Sequence, residues 1–398
     1  LGLRLIFLVG LAAASICQRI RLPRIIGMLA TGILLGPYVL DFLDGSILSI
    51  SSDLREMALV IILIKAGLSL DISELKEVGR PAVLMAFLPA VFEILAFVLL
   101  APGILGVTLL EAAILGAVLG AVSPAVVVPK MVQLMETGYG TDKGIPQLIL
   151  AGASLDDVFV IVLFSTFTGM AQGGAVSAMD FAGIPISILL GIAGGALTGW
   201  LLALFFESQY AKERYVRNSM KVIIVLGISF LLVALETWLE GTLPFSGLLA
   251  VMSMACVLQL KSETFVTRRL AEKFGKLWLA AEVILFVLVG AAVDIRYTLG
   301  AGLGAVLMIF LALALRSAGV LLCLLGTKLN RKERLFCVIA YLPKATVQAA
   351  IGSVPLALSL PCGKLVLSVA VLSILITAPL GALGMDATYK RLLNRRSR

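Results

Sequence analysis

Two adjacent aspartates, Asp156 and Asp157, interrupt the otherwise apolar stretch IPQLILAGASLDDVFVIVLFSTF. Within a membrane each such charge costs about 2.5–3.5 kcal/mol and needs a function or a partner. Neighbouring residues on a helix point about 100° apart, so one carboxylate can hold a structural partner while the other faces a cavity. When carboxylates are crowded in a low-dielectric site, at least one should exchange protons near neutral pH, and carboxylates also bind hard cations. The pair predicts a site where a proton and a cation compete; the alternative is a buried structural ion pair.

Prolines interrupt two further apolar stretches. Lys344 follows Pro343 in FCVIAYLPKATVQAAIGSVPLA, and a matching break is predicted from Ser123-Pro124 to Pro129. Proline frees backbone carbonyls, and a lysine can neutralise the resulting helix end and also pair with an aspartate. Two broken helices that meet in a membrane build an ion site from carbonyls and helix ends. Ordinary proline kinks are the alternative for either stretch alone.

Glu93 and Arg316 are opposite charges within two other apolar stretches. They are predicted to form an ion pair, which either aids folding as a static salt bridge or modulates the charge balance of transport. Ser154 precedes Asp157 by three residues, on roughly the same helix face. Ser154 and Ser123 are predicted to supply further oxygen ligands.

The composition indicates which elements must position these residues. Of 398 residues, 60% are hydrophobic and 14% are charged, whereas soluble domains average about 45–50% and 25%. Continuous apolar runs of about 17–25 residues predict transmembrane helices and exclude a barrel. The chain has no histidine, which excludes imidazole ligands, and its five cysteines have no metal-binding spacing. The first residue is not methionine, so we expect a preceding segment to be absent from this chain.

Thirteen helical segments are predicted. They lie near residues 1–18, 22–40, 55–70, 81–101, 109–135, 145–171, 181–206, 219–239, 243–260, 276–293, 298–327, 334–358 and 364–385. If the chain starts outside, 25 of its 32 basic residues fall at inner ends and only Arg4, Arg55, Arg296 and Lys364 at outer ends. One missed helix would invert every later loop. This bias therefore predicts thirteen helices, with the N-terminus of the chain outside and the C-terminus cytoplasmic.

An internal repeat is present at an offset of 223 residues. VIILIKAGLSLDISEL at 60–75 aligns with VILFVLVGAAVDIRYT at 283–298, and the same offset carries Glu93 to Arg316 and Ser123–Pro129 to Thr346–Gly352. The two halves have opposite orientation in the thirteen-helix count. Inverted repeats with broken helices at corresponding positions are typical of secondary transporters.

These motifs resemble the cation/proton antiporter superfamily. GASLDDVFVIVLF is similar to the aspartate motif of its DD branch, and SPAVVVPKM and LPKATVQAAIG are similar to its two crossing helices. LPRIIGMLATGILLGP and KAGLSLDISEL resemble earlier motifs of the family, in the family's order. The buried Glu93 with Arg316 is most similar to the animal NHA-type sodium/proton antiporters, and this departure from the bacterial DD branch puts an electrogenic stoichiometry in doubt.

The resemblance implies an all-α membrane protein with thirteen transmembrane helices, an inverted-topology repeat and two broken crossing helices (NhaA/NapA-like). It implies a homodimer that exchanges Na+ or Li+ for H+ by elevator-type alternating access, without a cofactor and without enzyme activity. Asp157 would bind the transported Na+ or Li+ and the proton, and Asp156 would pair with Lys344, the charge-compensating residue. The whole chain, 1–398, would be one exchanger domain, with 55–171 and 276–358 mainly ion-transporting core, 1–54 and 181–260 mainly dimerisation region, and 364–398 the last helix and basic tail.

Other functions are weighed against this one. A sodium-coupled symporter of a related inverted-repeat class would need a roomier polar site than Gln348 and Thr346 offer. An intramembrane aspartyl protease needs aspartates on different helices, and a channel would be distinguished by its turnover rate. The basic inner ends, including Arg395 and Arg396, can contact anionic lipid, although topology alone also explains them. The choice of plasma or organelle membrane, the Na+ or Li+ preference and the stoichiometry are left open.

Overall fold

The computed structural model describes residues 2–20, 22–69, 79–173, 178–211, 216–239, 243 and 245–395, and in these ranges it contains α-helices, a short 3-10 helix and no strand. The predictions that involve Arg21, Asp71, Ile72, Lys76, Lys212, Arg214, Arg396 and Arg398 lie outside the described residues. The helices are α1 (Gly2–Arg19), α2 (Arg24–Leu35), α3 (Gly45–Ser49), α4 (Ser51–Ser69), α5 (Arg80–Met85), α6 (Leu88–Leu105), α7 (Leu109–Leu119), α8 (Pro124–Thr137), α9 (Ile145–Gln172), α10 (Ala178–Ala211), α11 (Asn218–Leu239), α12 (Gly247–Lys261), α13 (Thr264–Ala291), α14 (Ile295–Cys323), α15 (Arg331–Ala340), α16 (Thr346–Gly352), α17 (Val354–Ala357) and α18 (Gly363–Leu392).

Each of the thirteen predicted segments overlaps at least one of these helices. Within the described residues, seven helical stretches are long and apolar enough to cross a membrane. They are Gly2–Arg19, Arg80–Leu105, Leu189–Gln209, Asn218–Leu239, Thr264–Ala291, Gly302–Cys323 and Gly363–Leu392. Six shorter apolar helices have 10–17 residues. The chain is thus a helical membrane protein, and the number of crossings beyond these seven stays a prediction.

The chain divides into two compact units. The first comprises Leu1–Ser52, Asp71–Ala171 and Val283–Arg398, and the second comprises Asp53–Leu70 and Gln172–Glu282. In the first unit α14 packs on α6, α6 packs on α7, and α18 contacts α7, α8 and α14 to α17. In the second unit α12 packs between α10 and α11. All five mid-helix charges discussed above belong to the first unit.

Two of the predicted segments are broken. The helix α7 begins at a capping box made by Thr108 and Glu111 and ends at Leu119, and α8 begins at Pro124. Proline is favoured at the first position of a helix because its missing N–H is not needed there. The break is therefore Gly120–Ser123, and the predicted extension to Pro129 is wrong, since Pro129 lies inside α8. The second break runs from Tyr341 to Ala345, between α15 and α16.

Small residues let the helices approach closely. In the second unit, a Cβ at Gly67 would lie 2.7 Å from the Met252 carbonyl oxygen on α12. In the first unit, a Cβ at Gly290 would overlap the Leu29 carbonyl oxygen on α2. Gly67 and Gly290 are equivalent at the 223-residue offset, and the α2 and α12 sequences resemble each other. The two repeats thus use the same glycine for the same kind of helix contact.

The substitution Gly195→Ala tests this packing in the second unit. A Cβ at Gly195 would overlap the backbone oxygen of Ala250, whereas one at Gly227 has no neighbour within 4 Å. We expect Gly195→Ala to lower the free energy of unfolding by about 1–3 kcal/mol, because the two backbones must separate. The matched Gly227→Ala variant should melt at or above the wild-type temperature when both are purified in detergent. Equal melting temperatures for the two variants would contradict the packing.

Two of the basic residues that were predicted to lie at inner ends, Lys130 and Lys143, form ion pairs in the structure. Lys130 lies inside α8, is buried, and pairs with Asp386 of α18, with its ammonium 4.1 Å from the centre of the Tyr389 ring. Lys143 lies 2.8 Å from Glu333, which is buried at the start of α15. Both pairs tie a segment next to a broken helix to a neighbouring helix.

Candidate ion-binding site

The two breaks meet. The backbone N–H of Ser123 donates to the Pro343 carbonyl oxygen at 2.8 Å, which joins the first break to the second. The Gln348 side chain donates from Nε2 to the Ala121 carbonyl oxygen at 2.8 Å. Its Oε1 accepts from the Ala345 N–H at 2.8 Å. Backbone groups that leave their helices are thereby satisfied in a buried place where an unpaired group would be costly.

Arg316 is the centre of the site. It lies on α14, is fully buried, and donates from Nη1 to Glu93 Oε2 at 2.8 Å and from Nη2 to Asp156 Oδ2 at 2.9 Å. It also donates to the Gly120 and Tyr341 carbonyl oxygens, one in each break. The planar guanidinium presents five donors in a fixed fork, which allows one side chain to hold two carboxylates and two helix ends.

The predicted ion pair of Glu93 and Arg316 is present in the structure, and both side chains are at most 1% exposed. The pairing of Asp156 with Lys344, which the resemblance implied, is replaced by other contacts. Lys344 Nζ donates to Glu93 Oε2 at 2.6 Å and to the Leu119 carbonyl oxygen at 2.5 Å. Glu93 thus binds both cations, while the fork of Arg316 reaches the carboxylate of Asp156.

The end of α7 receives three donors in succession. The carbonyl oxygens of Leu119, Gly120 and Ala121 accept from Lys344, Arg316 and Gln348, respectively. The C-terminal end of a helix carries partial negative charge, so two cations at this end are stabilised by it. The next backbone N–H, that of Val122, points at Asp156 Oδ2 at a distance of 2.8 Å.

Asp157 differs from Asp156 in its contacts, as the divergence of neighbouring side chains predicts. Neither Arg316 nor Lys344 donates to Asp157. Its Oδ1 is buried and has no hydrogen-bond partner among the described residues, and the whole residue is 7% exposed. The Ser123 hydroxyl is also buried without a partner in the described part of the chain. The side chain of Ser154 lies outside the part described.

The cluster is unbalanced in charge when all its groups are ionised. Glu93, Asp156 and Asp157 carry three negative charges, and Arg316 and Lys344 carry two positive charges. One negative charge is in excess, and Asp157 is the carboxylate that neither cation binds. A desolvated excess charge is costly, so the arrangement favours uptake of one monovalent cation or one proton.

Several residues of the site were not predicted as such. Gln348 was noted from the sequence only as one of few amides in the apolar stretches, and Thr377, whose hydroxyl accepts from the Lys344 N–H at 2.8 Å, gave no signal. The carbonyls of Leu119 to Ala121 have no side-chain signature. A buried amide next to a proline break is the one sequence feature that identifies such a residue in advance.

Comparison with known proteins agrees with this geometry. The chain matches the family described as "Sodium/hydrogen exchanger, transmembrane" over residues 5–388. It belongs to this family. The resemblance to animal sodium/proton antiporters indicated by the motifs is confirmed, and the chain is a multi-pass integral membrane protein.

Its relatives include sodium/hydrogen exchanger 9B2 of Homo sapiens, which is 35% identical over 385 residues, covering 94% of this chain and 70% of the relative. Sodium/hydrogen exchanger 9B1 of Macaca fascicularis is 33% identical over 419 residues, covering 99% and 79%. Among solved structures, the sodium proton antiporter MjNhaP1 of Methanocaldococcus jannaschii superposes with a TM-score of 0.81 at 20% identity, covering 98% of this chain and 97% of that one. That likeness shows a shared fold.

Proposed function

We propose that this protein exchanges Na+ or Li+ for H+ across a membrane, with Asp157 as the carboxylate that binds either the cation or the proton. The observation that carries the proposal is the buried Asp157 Oδ1, which has no hydrogen-bond partner among the described residues, beside a cluster whose other charges are all paired. Membership in the sodium/hydrogen exchanger family supports the same substrates. Hard monovalent cations prefer oxygen ligands, and the Ser123 hydroxyl, next to Val122 in the first break, is proposed as a second ligand. Ser154 is kept as a further candidate from the sequence alone.

The stoichiometry follows from the charge of the cluster. One excess negative charge is neutralised equally well by one Na+ or by one H+. A second proton would have to come from Lys344, but its ammonium donates to Glu93 at 2.6 Å and to the Leu119 carbonyl, which both favour the charged form. We therefore propose electroneutral exchange of one cation for one proton, with Glu93 modulating the charge balance by keeping Lys344 charged.

The topology belongs to the same proposal. Thirteen crossings, N-terminus outside and C-terminus cytoplasmic, are supported by the bias of basic residues and by the overlap of every predicted segment with a helix. An inverted repeat is supported by the breaks, since Gly120–Ser123 maps at the 223-residue offset onto 343–346 and so overlaps the second break, Tyr341–Ala345, and by the paired glycines. Alternating access by an elevator-type movement of 55–171 and 276–358, in a homodimer formed through 1–54 and 181–260, is proposed from the family resemblance.

Proteoliposomes that contain a pH-sensitive dye test the function. Addition of Na+ or Li+ outside is expected to raise the internal pH without any organic solute, and K+ of similar concentration serves as the control cation. The initial rate should be the same with the membrane potential clamped at zero and at about −100 mV by K+ and valinomycin, since no net charge moves. A rate that follows the potential would contradict the 1:1 stoichiometry. Flux that needs an organic solute would instead favour the sodium-coupled symporter.

A further inference from the structure

Tyr341 touches Arg316 in two ways. This residue opens the second break and is fully buried. Its carbonyl oxygen accepts a hydrogen bond from Arg316 Nε at 2.8 Å. The guanidinium carbon also lies over the Tyr341 ring, 5.6 Å from the ring centre, within the range of a cation–π interaction. Tyr341 therefore contacts both the edge and the face of the Arg316 guanidinium, which binds Glu93 and Asp156.

The far end of the Tyr341 ring is fixed against α9. A Cβ at Gly152 would overlap the Tyr341 hydroxyl and would lie 3.3 Å from the ring carbon that carries it. The lack of a side chain at Gly152 thus makes room for the Tyr341 hydroxyl. Asp156 follows Gly152 by four residues, so the two lie on one face of α9, one turn apart. The phenol hydroxyl accordingly lies beside the helix face that carries Asp156.

Two buried polar atoms in this region have no partner among the described residues. They are the Tyr341 hydroxyl and Asp156 Oδ1. Asp156 uses its other oxygen for Arg316 and for the Val122 N–H. Buried polar groups are nearly always hydrogen-bonded, either to protein or to an ordered water. A phenol is a donor and a carboxylate is an acceptor, so a water between them satisfies both.

We infer that Tyr341 is a positioning residue of the ion site, which holds Arg316 through its ring and carbonyl and, through one buried water, fixes the Asp156 carboxylate that pairs with Arg316. The inference rests on the proposed exchange function and adds a determinant of its cation affinity. Asp157 follows Asp156 directly on α9, so a fixed Asp156 also fixes the position at which the cation is proposed to bind. Loss of the hydroxyl leaves the bridging water and the Asp156 carboxylate less firmly held, which lowers the affinity of the site for Na+.

The substitution Tyr341→Phe removes the hydroxyl and keeps the ring and the carbonyl. The bridging water then loses one of its partners and the Asp156 carboxylate is held less firmly, so at a fixed pH the apparent KM for Na+ should rise about tenfold. The maximal rate should stay within about twofold of wild type. Tyr38→Phe, which removes the hydroxyl of an exposed tyrosine, should change none of these values.

The substitution Gly152→Ala tests the position of the ring. The new methyl group displaces the phenol and with it Arg316, so both the maximal rate and the melting temperature should fall. In the double variant Gly152→Ala with Tyr341→Phe, the nearest atoms to the methyl group are the ring carbon at 3.3 Å and Met85 Cβ at 3.0 Å. The double variant should therefore recover the melting temperature and the maximal rate, but keep the raised KM of Tyr341→Phe.

The Na+ concentration that gives half-maximal thermal stabilisation of the detergent-purified protein provides a readout besides flux. It should also rise about tenfold in Tyr341→Phe. A variant that has a lower melting temperature but an unchanged KM and an unchanged stabilising Na+ concentration would show a merely structural residue and would overturn the inference. If the wild type shows Na+-dependent flux and Tyr341→Phe behaves identically to it, this inference alone is overturned. Absence of wild-type Na+-dependent flux and stabilisation overturns the proposed function and the inference with it.

Discussion

Replacement of Asp157 with asparagine is expected to abolish Na+-dependent proton flux. The amide has nearly the same shape as the carboxylate, but it can neither release a proton nor neutralise a cation. The cluster of Glu93, Asp156, Arg316 and Lys344 is then already neutral. Loss of one member of a desolvated charge interaction costs about 2–5 kcal/mol, so we expect the rate to fall by at least about a hundredfold.

The measurement is the initial rate of dye dequenching in proteoliposomes after addition of Na+. Asp142→Asn is the matched control, because it makes the same chemical change in the exposed 3-10 turn Thr141–Lys143, and it should leave the rate unchanged. The Asp157→Asn protein should also lose its thermal stabilisation by Na+ while keeping its fold, since neither Arg316 nor Lys344 donates to Asp157 in the structure. Full Na+-dependent flux in this variant would show that another group carries the ion.

Replacement of Arg316 with methionine is expected to destabilise the fold more than any other substitution considered. Arg316 donates to two carboxylates and to one carbonyl in each break. Methionine fills a similar volume, but it leaves Asp156 without its cation and Glu93 with only Lys344. Breaking a buried ion pair by removal of one partner costs about 3–5 kcal/mol, because the remaining charge is uncompensated.

The expected result is a large fall in the melting temperature of the detergent-purified protein, or failure to accumulate in the membrane. Arg316→Lys should be intermediate, since an ammonium keeps the charge but cannot reach all four acceptors in one plane. Arg268→Met is the contrasting control, because Arg268 is exposed and, within the described ranges, forms an ion pair only with Glu272 one turn away. An exposed pair contributes about 0–1 kcal/mol. Similar melting temperatures for Arg316→Met and Arg268→Met would contradict the central role of Arg316.

Much of the site could be predicted from local chemistry. Asp156 and Asp157 stand out because ionised groups are rare in apolar helices, and their adjacency already separates a paired carboxylate from a free one. The breaks could be placed approximately because proline interrupts a helix wherever it occurs. The end of the first break was misplaced, since Pro124 starts a helix and Pro129 lies within one. Local sequence does not distinguish a proline that ends a helix from one that a helix accommodates.

The partners of the charges could not be predicted in the same way. Glu93 and Arg316 were paired because they are opposite charges within apolar stretches, but Lys344 was assigned to Asp156, whereas it contacts Glu93 and the end of α7. That choice depends on distances of a few ångströms between segments more than 200 residues apart in the chain. The role of Gln348 as a bridge between the breaks depends in the same way on backbone carbonyls, which carry no residue-specific signal.

The amino-acid sequence established that this is a helical membrane protein and which few residues carry chemistry, because both follow from residue type and spacing along one helix. The family was indicated by the resemblance of several motifs along the chain. The folded structure was needed to show that Arg316 joins two carboxylates and both breaks, that neither Arg316 nor Lys344 binds Asp157, and that Gly152 makes room for the Tyr341 hydroxyl. These are contacts between distant segments, and their geometry arises only when the helices pack.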